Sequence, residues 1–220
     1  MVNPQIWNAY SYVANNPFKF IDPFGEELVP LGVHTDDEIK KLIKQYKKDI
    51  KNTDDKDVKK NIKAKIKTLE LEKEGNGIAQ AYLDRLDAVG QRDGLKLTDL
   101  VLSTDTKNDL SGRNISQTKM AELTSSDTKA FTLNRGGPIY LRSESDQYKN
   151  SSNDILMQDL GGCTLRHERE HVRGFGEYIA YRVQREVFQY FRNDFYQNRN
   201  ENKFNEIDNM LLRAIDYYAP

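Results

Sequence analysis

The chain has only three histidines in 220 residues, and two of them stand four apart with a glutamate directly after the first: His167, Glu168 and His171, in the run LRHEREHVRGFGE. In an α-helix, residues four apart lie one turn above one another on the same face. Both imidazoles can then offer a nitrogen to one ion at about 2.0–2.1 Å. Glu168, one position round, can reach a water on that ion without ligating it. This H-E-x-x-H spacing marks a zinc-dependent hydrolase with glutamate as general base. Zn2+ is the expected cofactor, with His167 and His171 as ligands and Glu168 as the catalytic base.

The residues around the motif fit a buried helix. Leu160, Cys163 or Thr164, His167 and His171 continue one stripe at spacings of three or four, and Arg166, Arg169, Glu170 and Arg173 are expected to project away from it. Gly161 and Gly162 are expected just before the helix and Gly174 just after it. A catalytic zinc needs a third protein ligand and one open position. Glu177 follows His171 by six residues with Gly174 between, so a turn there would return it to the ion; Glu186 is the reserve. Ile179, Ala180, Val183, Val187 and Phe188 mark the apolar side of a second helix. Tyr178, Tyr181 and Arg173 are the candidates for stabilising an oxyanion. Cys163 reads as a small buried residue rather than a nucleophile, and His34 as a surface residue.

Composition limits the rest. Hydrophobic residues make up 37% and charged residues 30%, with a mean hydropathy of -0.79, so part of the chain must be an exposed charged layer. Lys and Arg number 33 against 34 Asp and Glu, which gives no global reason to expect a nucleic-acid partner. No apolar run is long enough to span a bilayer, and no basic-then-apolar leader opens the sequence. One cysteine allows no internal disulfide.

Three segments follow, at 1–27, 28–94 and 95–220. In the first, alternating aromatics with turn signals at Asn15-Asn16-Pro17 and Asp22-Pro23 predict a strand, a turn and a short strand. In the second, Ile39, Leu42, Ile43, Tyr46 and Ile50 predict a helix, and further helices are expected over 58–73 and 78–88, the first two forming a hairpin. Its lysines, interleaved with acids, read as a solvated face. In the third, strands are expected at 95–102, 128–133 and 137–142, with a loop and a short helix between the first two. Helices are expected thereafter, broken near Gly161, Gly174 and 198–202. The fold class is α+β.

Asn8, Tyr10, Tyr12, Val13, Asn15, Asn16, Pro17, Asp22, Pro23 and Gly25 resemble the end of the RHS/YD-repeat-associated core domain, where N-x-Y-x-Y-V-x-N-N-P and then D-P-x-G close a β-cage shell. The resemblance implies that the residues after the junction are a variable C-terminal toxin domain, delivered to a target cell and countered by an immunity protein. The run from His167 to Glu177 resembles the zincin metallopeptidases. Its H-E-x-x-H-x-x-G spacing is similar to the metzincins, but Glu177 stands where those carry His or Asp, and Met210 falls in a helical stretch. A glutamate on the following helix is instead similar to the gluzincins. The zincin resemblance implies a small mixed sheet before the active-site helix, with peptide substrate adding along an edge near Ile139 to Leu141. The expected function is zinc-dependent peptide-bond hydrolysis on a protein or peptide substrate. Two alternatives stay open: a non-catalytic binding or structural module, and a zinc hydrolase acting on a non-protein amide.

Overall fold

The computed structural model describes residues 28–220. The strand pair and junction expected at 1–27, including Asp22, lie outside the described residues. Nine α-helices and four short strands follow one another among the described residues, an α+β arrangement dominated by helix. No helix there is long and apolar enough to cross a membrane.

Strand β1 (Leu28–Pro30) leads into α1 (Asp36–Asn52). Thr35 starts this helix through a capping box: its hydroxyl accepts from the Glu38 N–H, and Glu38 accepts from the Thr35 N–H. After a short turn, Asp55 caps α2 (Lys56–Ala88) by accepting from the N–H groups of Asp57 and Val58. α2 is one helix of 33 residues, about 50 Å long, where two were expected. The run Gly75-Asn76-Gly77 does not end it. Gly75 lets the helix approach Leu31, whose Cδ2 would lie 2.7 Å from an added Cβ. The Asn76 side chain accepts from the Gly32 N–H and donates to the His34 carbonyl. These contacts to the chain after β1 hold the helix through its weakest local propensity. His34 is not a plain surface residue: its Nδ1 lies 2.9 Å from the buried carboxylate of Glu72.

The sheet has the order β1-β2-β4-β3, with β2 Leu100–Ser103, β3 Ala130–Thr132 and β4 Ile139–Arg142. β2 and β4 are parallel, and the two outer pairs are antiparallel, so the sheet is mixed. The strands are shorter than expected: Leu97–Asp99 forms a 3-10 turn before β2, and β1 is an additional strand. β4 is paired on both sides, so Ile139 to Leu141 cannot take a further strand; among the described residues the outer strands, each paired on one side, are β1 and β3.

Alternation along the strands divides the apolar residues between two faces. Leu100, Leu102, Ile139 and Leu141 join α2 and the later helices in the main core. Val101, Phe131 and Tyr140 form a second cluster with Leu110 and Leu123. These last two come from the connection between β2 and β3, which carries α3 (Thr106–Asp109) and α4 (Gln117–Leu123). The main core runs from Val29 to Leu211, drawing on both 28–94 and 95–220.

After β4 come α5 (Asp146–Asn150) and α6 (Ile155–Arg173), the latter capped by Asp154. Gly161 and Gly162 lie inside α6, not before it. A Cβ at Gly161 would collide with the Tyr82 ring, and one at Gly162 would crowd Leu86 at 3.2 Å. The glycines are where α6 passes against α2. Burial of α6 also extends further round than expected: Arg166 and Glu170 are buried and paired with each other at 3.1 Å. Helices α7 (Glu177–Tyr190), α8 (Arg192–Gln197) and α9 (Glu201–Tyr218) complete the chain.

Candidate metal centre

The helical spacing puts His167 and His171 on one face of α6, with their Nε2 atoms 3.0 Å apart. Gly174 then ends the helix in the left-handed conformation, at φ 90°. The Gly174 N–H donates to the His171 carbonyl, and the Phe175 N–H to the Glu170 carbonyl, the paired bonds of a Schellman stop. Arg135, in the loop between β3 and β4, lies directly over Gly174, and the Gly136 N–H of that loop donates to the Val172 carbonyl. Three residues after Gly174, Glu177 opens α7.

This reversal brings Glu177 to both histidines: Oε2 is 3.3 Å from His167 Nε2, and Oε1 is 3.5 Å from His171 Nε2. The three side chains form the one group of potential metal ligands among the described residues. Ligand atoms about 2.05 Å from a tetrahedral zinc are about 3.3 Å from one another. The two imidazole nitrogens, 3.0 Å apart, are close to that value, and the Glu177 carboxylate faces one with each oxygen, with one donor atom from each of the three within 4.8 Å of the others, so the set could hold such an ion. His171 Nδ1 lies 3.0 Å from the Phe175 carbonyl, to which it donates, so Nε2 is the nitrogen turned toward the centre and becomes a ligand on losing its proton. His167 Nδ1 is buried without a partner among the described residues.

The electrostatics of the cluster suit a cation. Hydrogen bonding to His167 and His171 holds the Glu177 carboxyl well below the usual carboxylate range. The Glu177 carboxylate in turn raises His171 to about 9, against its burial and with help from the Phe175 carbonyl. A proton and a divalent cation compete for the same donor atoms.

Glu168 is buried beside these groups but is not one of the converging donors. Burial pushes its carboxyl above the ordinary value, while His167, His171 and the Thr132 hydroxyl on β3 pull it down. It is therefore a buried carboxyl whose ionised form is supported by the two imidazoles. Tyr181, one turn after Glu177, sets its ring 4.6 Å from that of His167, edge to face. Burial pushes its hydroxyl up to about 12, with Glu177 adding in the same direction. The Tyr218 ring stacks on Tyr181 at 5.7 Å.

The other candidates lie elsewhere. Glu186 is exposed in a groove between α7 and α9, where Tyr178 also lies with its ring under Arg182. Arg173 is engaged by Asp93 and Glu170. Cys163 is buried, and burial pushes its thiol up, as for an inert core residue. Thr132, the Phe175 carbonyl and Tyr218 were not anticipated. A left-handed stop at Gly174 could have pointed to the Phe175 carbonyl, but no local signal marks Thr132 or Tyr218. Comparison with protein-family models, curated proteins and solved structures finds no match.

Proposed function

We propose that the chain is a zinc-dependent peptidase. The observation that carries this reading is the convergence of His167, His171 and Glu177 on one point with the buried Glu168 beside them. His167, His171 and Glu177 would hold the zinc, which when bound supplies a Lewis acid and a water of lowered pKa. Glu168 takes the proton of the attacking water and passes it to the leaving amine. Structural zinc needs no such base, which argues against a purely structural centre. Tyr181, whose ring packs on His167, is the candidate donor: its high pKa keeps the hydroxyl protonated, able to donate to a developing oxyanion.

The outer edge of β3, unpaired among the described residues, favours a peptide over a non-protein amide. Thr132 on that strand lies beside Glu168, so an extended chain pairing with β3 would run past the base. The zincin class and the role of a delivered RHS toxin domain rest on the residue patterns at 167–177 and 8–25, and an immunity partner belongs to the same proposal.

The test is metal content and peptide hydrolysis in wild type, His171→Ala and Glu168→Gln. One zinc per chain is expected, lost in His171→Ala and kept in Glu168→Gln, with hydrolysis lost in both. A folded wild-type chain that takes up no zinc when supplied with it would end the metallopeptidase reading. Zinc retention with equal hydrolysis in Glu168→Gln would remove the assigned base.

A further inference from the structure

Residues 40–67 contain twelve lysines, four aspartates and no arginine or glutamate, a net charge of +8. The whole chain is at -1, so the remainder carries -9. These lysines lie on an arm. Ile39 is the buried residue of α1, and on α2 burial begins only at Ile66. The arm is remote from the metal centre, since α2 meets α6 through Tyr82 and Leu86. Glu70 precedes Leu86 by sixteen residues, about 24 Å of helix axis.

A groove of about 570 Å³ lies between α1 and α2, lined by Ile39 and Ile43 on α1 and reaching Glu70 and Lys73 on α2. Lys40, Lys44, Lys47 and Lys51 line it at steps of four, three and four, which on a helix is one stripe. Lys40 pairs with Asp37 at 3.2 Å. Lys44, Lys47 and Lys51 meet no carboxylate at salt-bridge distance among the described residues.

We infer that this groove docks an acidic amphipathic helix of a partner protein. Carboxylates at the same steps of four, three and four on a helix laid along α1 repeat at the same rise as the lysines, so each pair can form in turn. The apolar side of that helix covers Ile43, and excluding water there strengthens the flanking ion pairs. A nucleic acid fits less well: the arm has no arginine fork for phosphates or base edges, and Tyr46 is its single aromatic. An anionic membrane would meet Asp54, Asp55 and Asp57 where the two helices turn, and like charge repels it there.

The experiment uses the full chain and a labelled synthetic peptide. Its glutamates match the lysine steps and its leucines fill the adjoining stripe; a permuted peptide of the same composition has no stripe. The striped peptide is expected to bind at least about tenfold more tightly than the permuted one, and more weakly as salt rises. A variant carrying Lys44→Glu, Lys47→Glu and Lys51→Glu should lose that binding, and Ile43→Ser should weaken it, with circular dichroism and zinc content unchanged. The wild-type comparison of the two peptides stands even if a variant misfolds. Equal binding of both peptides would reduce the arm to a bare polycation and overturn the proposal. So would binding of a short RNA or of phosphatidylserine vesicles without the striped peptide, or self-association of the chain that excludes it.

Discussion

Glu177 Oε2 stands 3.3 Å from His167 Nε2, although a helix end and ten residues of chain separate them. The contact exists because α6 stops at Gly174 and α7 starts at Glu177, which returns the carboxylate to the face the helix has just left. Replacing Glu177 by Ala is expected to lower zinc affinity by more than about 100-fold, beyond the roughly 10–100-fold lost with a residue that only supports a ligand. Glu186→Ala should leave it unchanged, because that side chain faces the α7–α9 groove. Competition with a chromophoric chelator measures both. Equal weakening in the two variants would put the third ligand on the wrong side of α7.

Tyr181→Phe removes one hydroxyl near the ligands and keeps the ring that packs on His167. Peptide hydrolysis should fall by about 10²-fold in kcat, the scale of losing one oxyanion donor, with KM and zinc content little changed. Tyr178→Phe serves as the control and should be silent. A loss confined to KM in Tyr181→Phe would make this residue a substrate contact instead.

Asp159 on α6 is fully buried and takes a hydrogen bond from Arg85 Nε at 2.5 Å, while Arg85 also pairs with Asp194 on α8. Burial raises the Asp159 carboxyl to about 6 from 3.8, against the pull of Arg85. The folded chain thus binds this proton more tightly than the unfolded chain does between those two values. Stability contributed by Asp159 is expected to fall as pH rises through that window, by up to about 3 kcal/mol, and to stay level above about pH 6. Asp159→Asn should flatten this slope in urea unfolding. Arg85→Met leaves the buried carboxylate without its cation and should destabilise by about 3–5 kcal/mol near neutral pH. An unchanged slope in Asp159→Asn would assign the proton to another group.

Two glycines inside helices should respond in opposite directions to alanine. Gly77 on α2 has nothing within 4 Å of an added Cβ, so Gly77→Ala should stabilise by about 0.5–1 kcal/mol through helix propensity. Gly161→Ala gains the same propensity but drives a methyl into the Tyr82 ring, so a net loss of about 1–3 kcal/mol is expected. Thermal unfolding of the two variants decides. Stabilisation at Gly161 would mean that α6 and α2 can part without penalty.

The residues that carry the site were legible because they are local. His167, Glu168 and His171 lie within five consecutive residues of one helix, and Glu177 is a single turn of chain beyond, so helical periodicity and one glycine suffice to propose them together. The same local reasoning placed Gly161-Gly162 before a helix that contains them, and expected two helices, over 58–73 and 78–88, where α2 runs unbroken through Gly75 and Gly77. A glycine's propensity is the same whether it stops a helix or admits a neighbour, and only the neighbour, Tyr82 or Leu31, tells the two apart.

The sequence by itself determined the spacing of His167 and His171 on α6, the reversal at Gly174 and the amphipathic charge of α1, since each depends on backbone geometry over a few residues. Tertiary structure alone decided that β3 rather than β4 is an outer strand among the described residues, that Thr132 sits beside Glu168, and that Tyr181 rather than Tyr178 packs on His167. It also decided that Arg166 and Glu170 are buried as a pair, not exposed. Strand order and helix rotation are fixed by packing among elements far apart in the chain, where the free energy depends on which surfaces meet, and no local pattern encodes that choice.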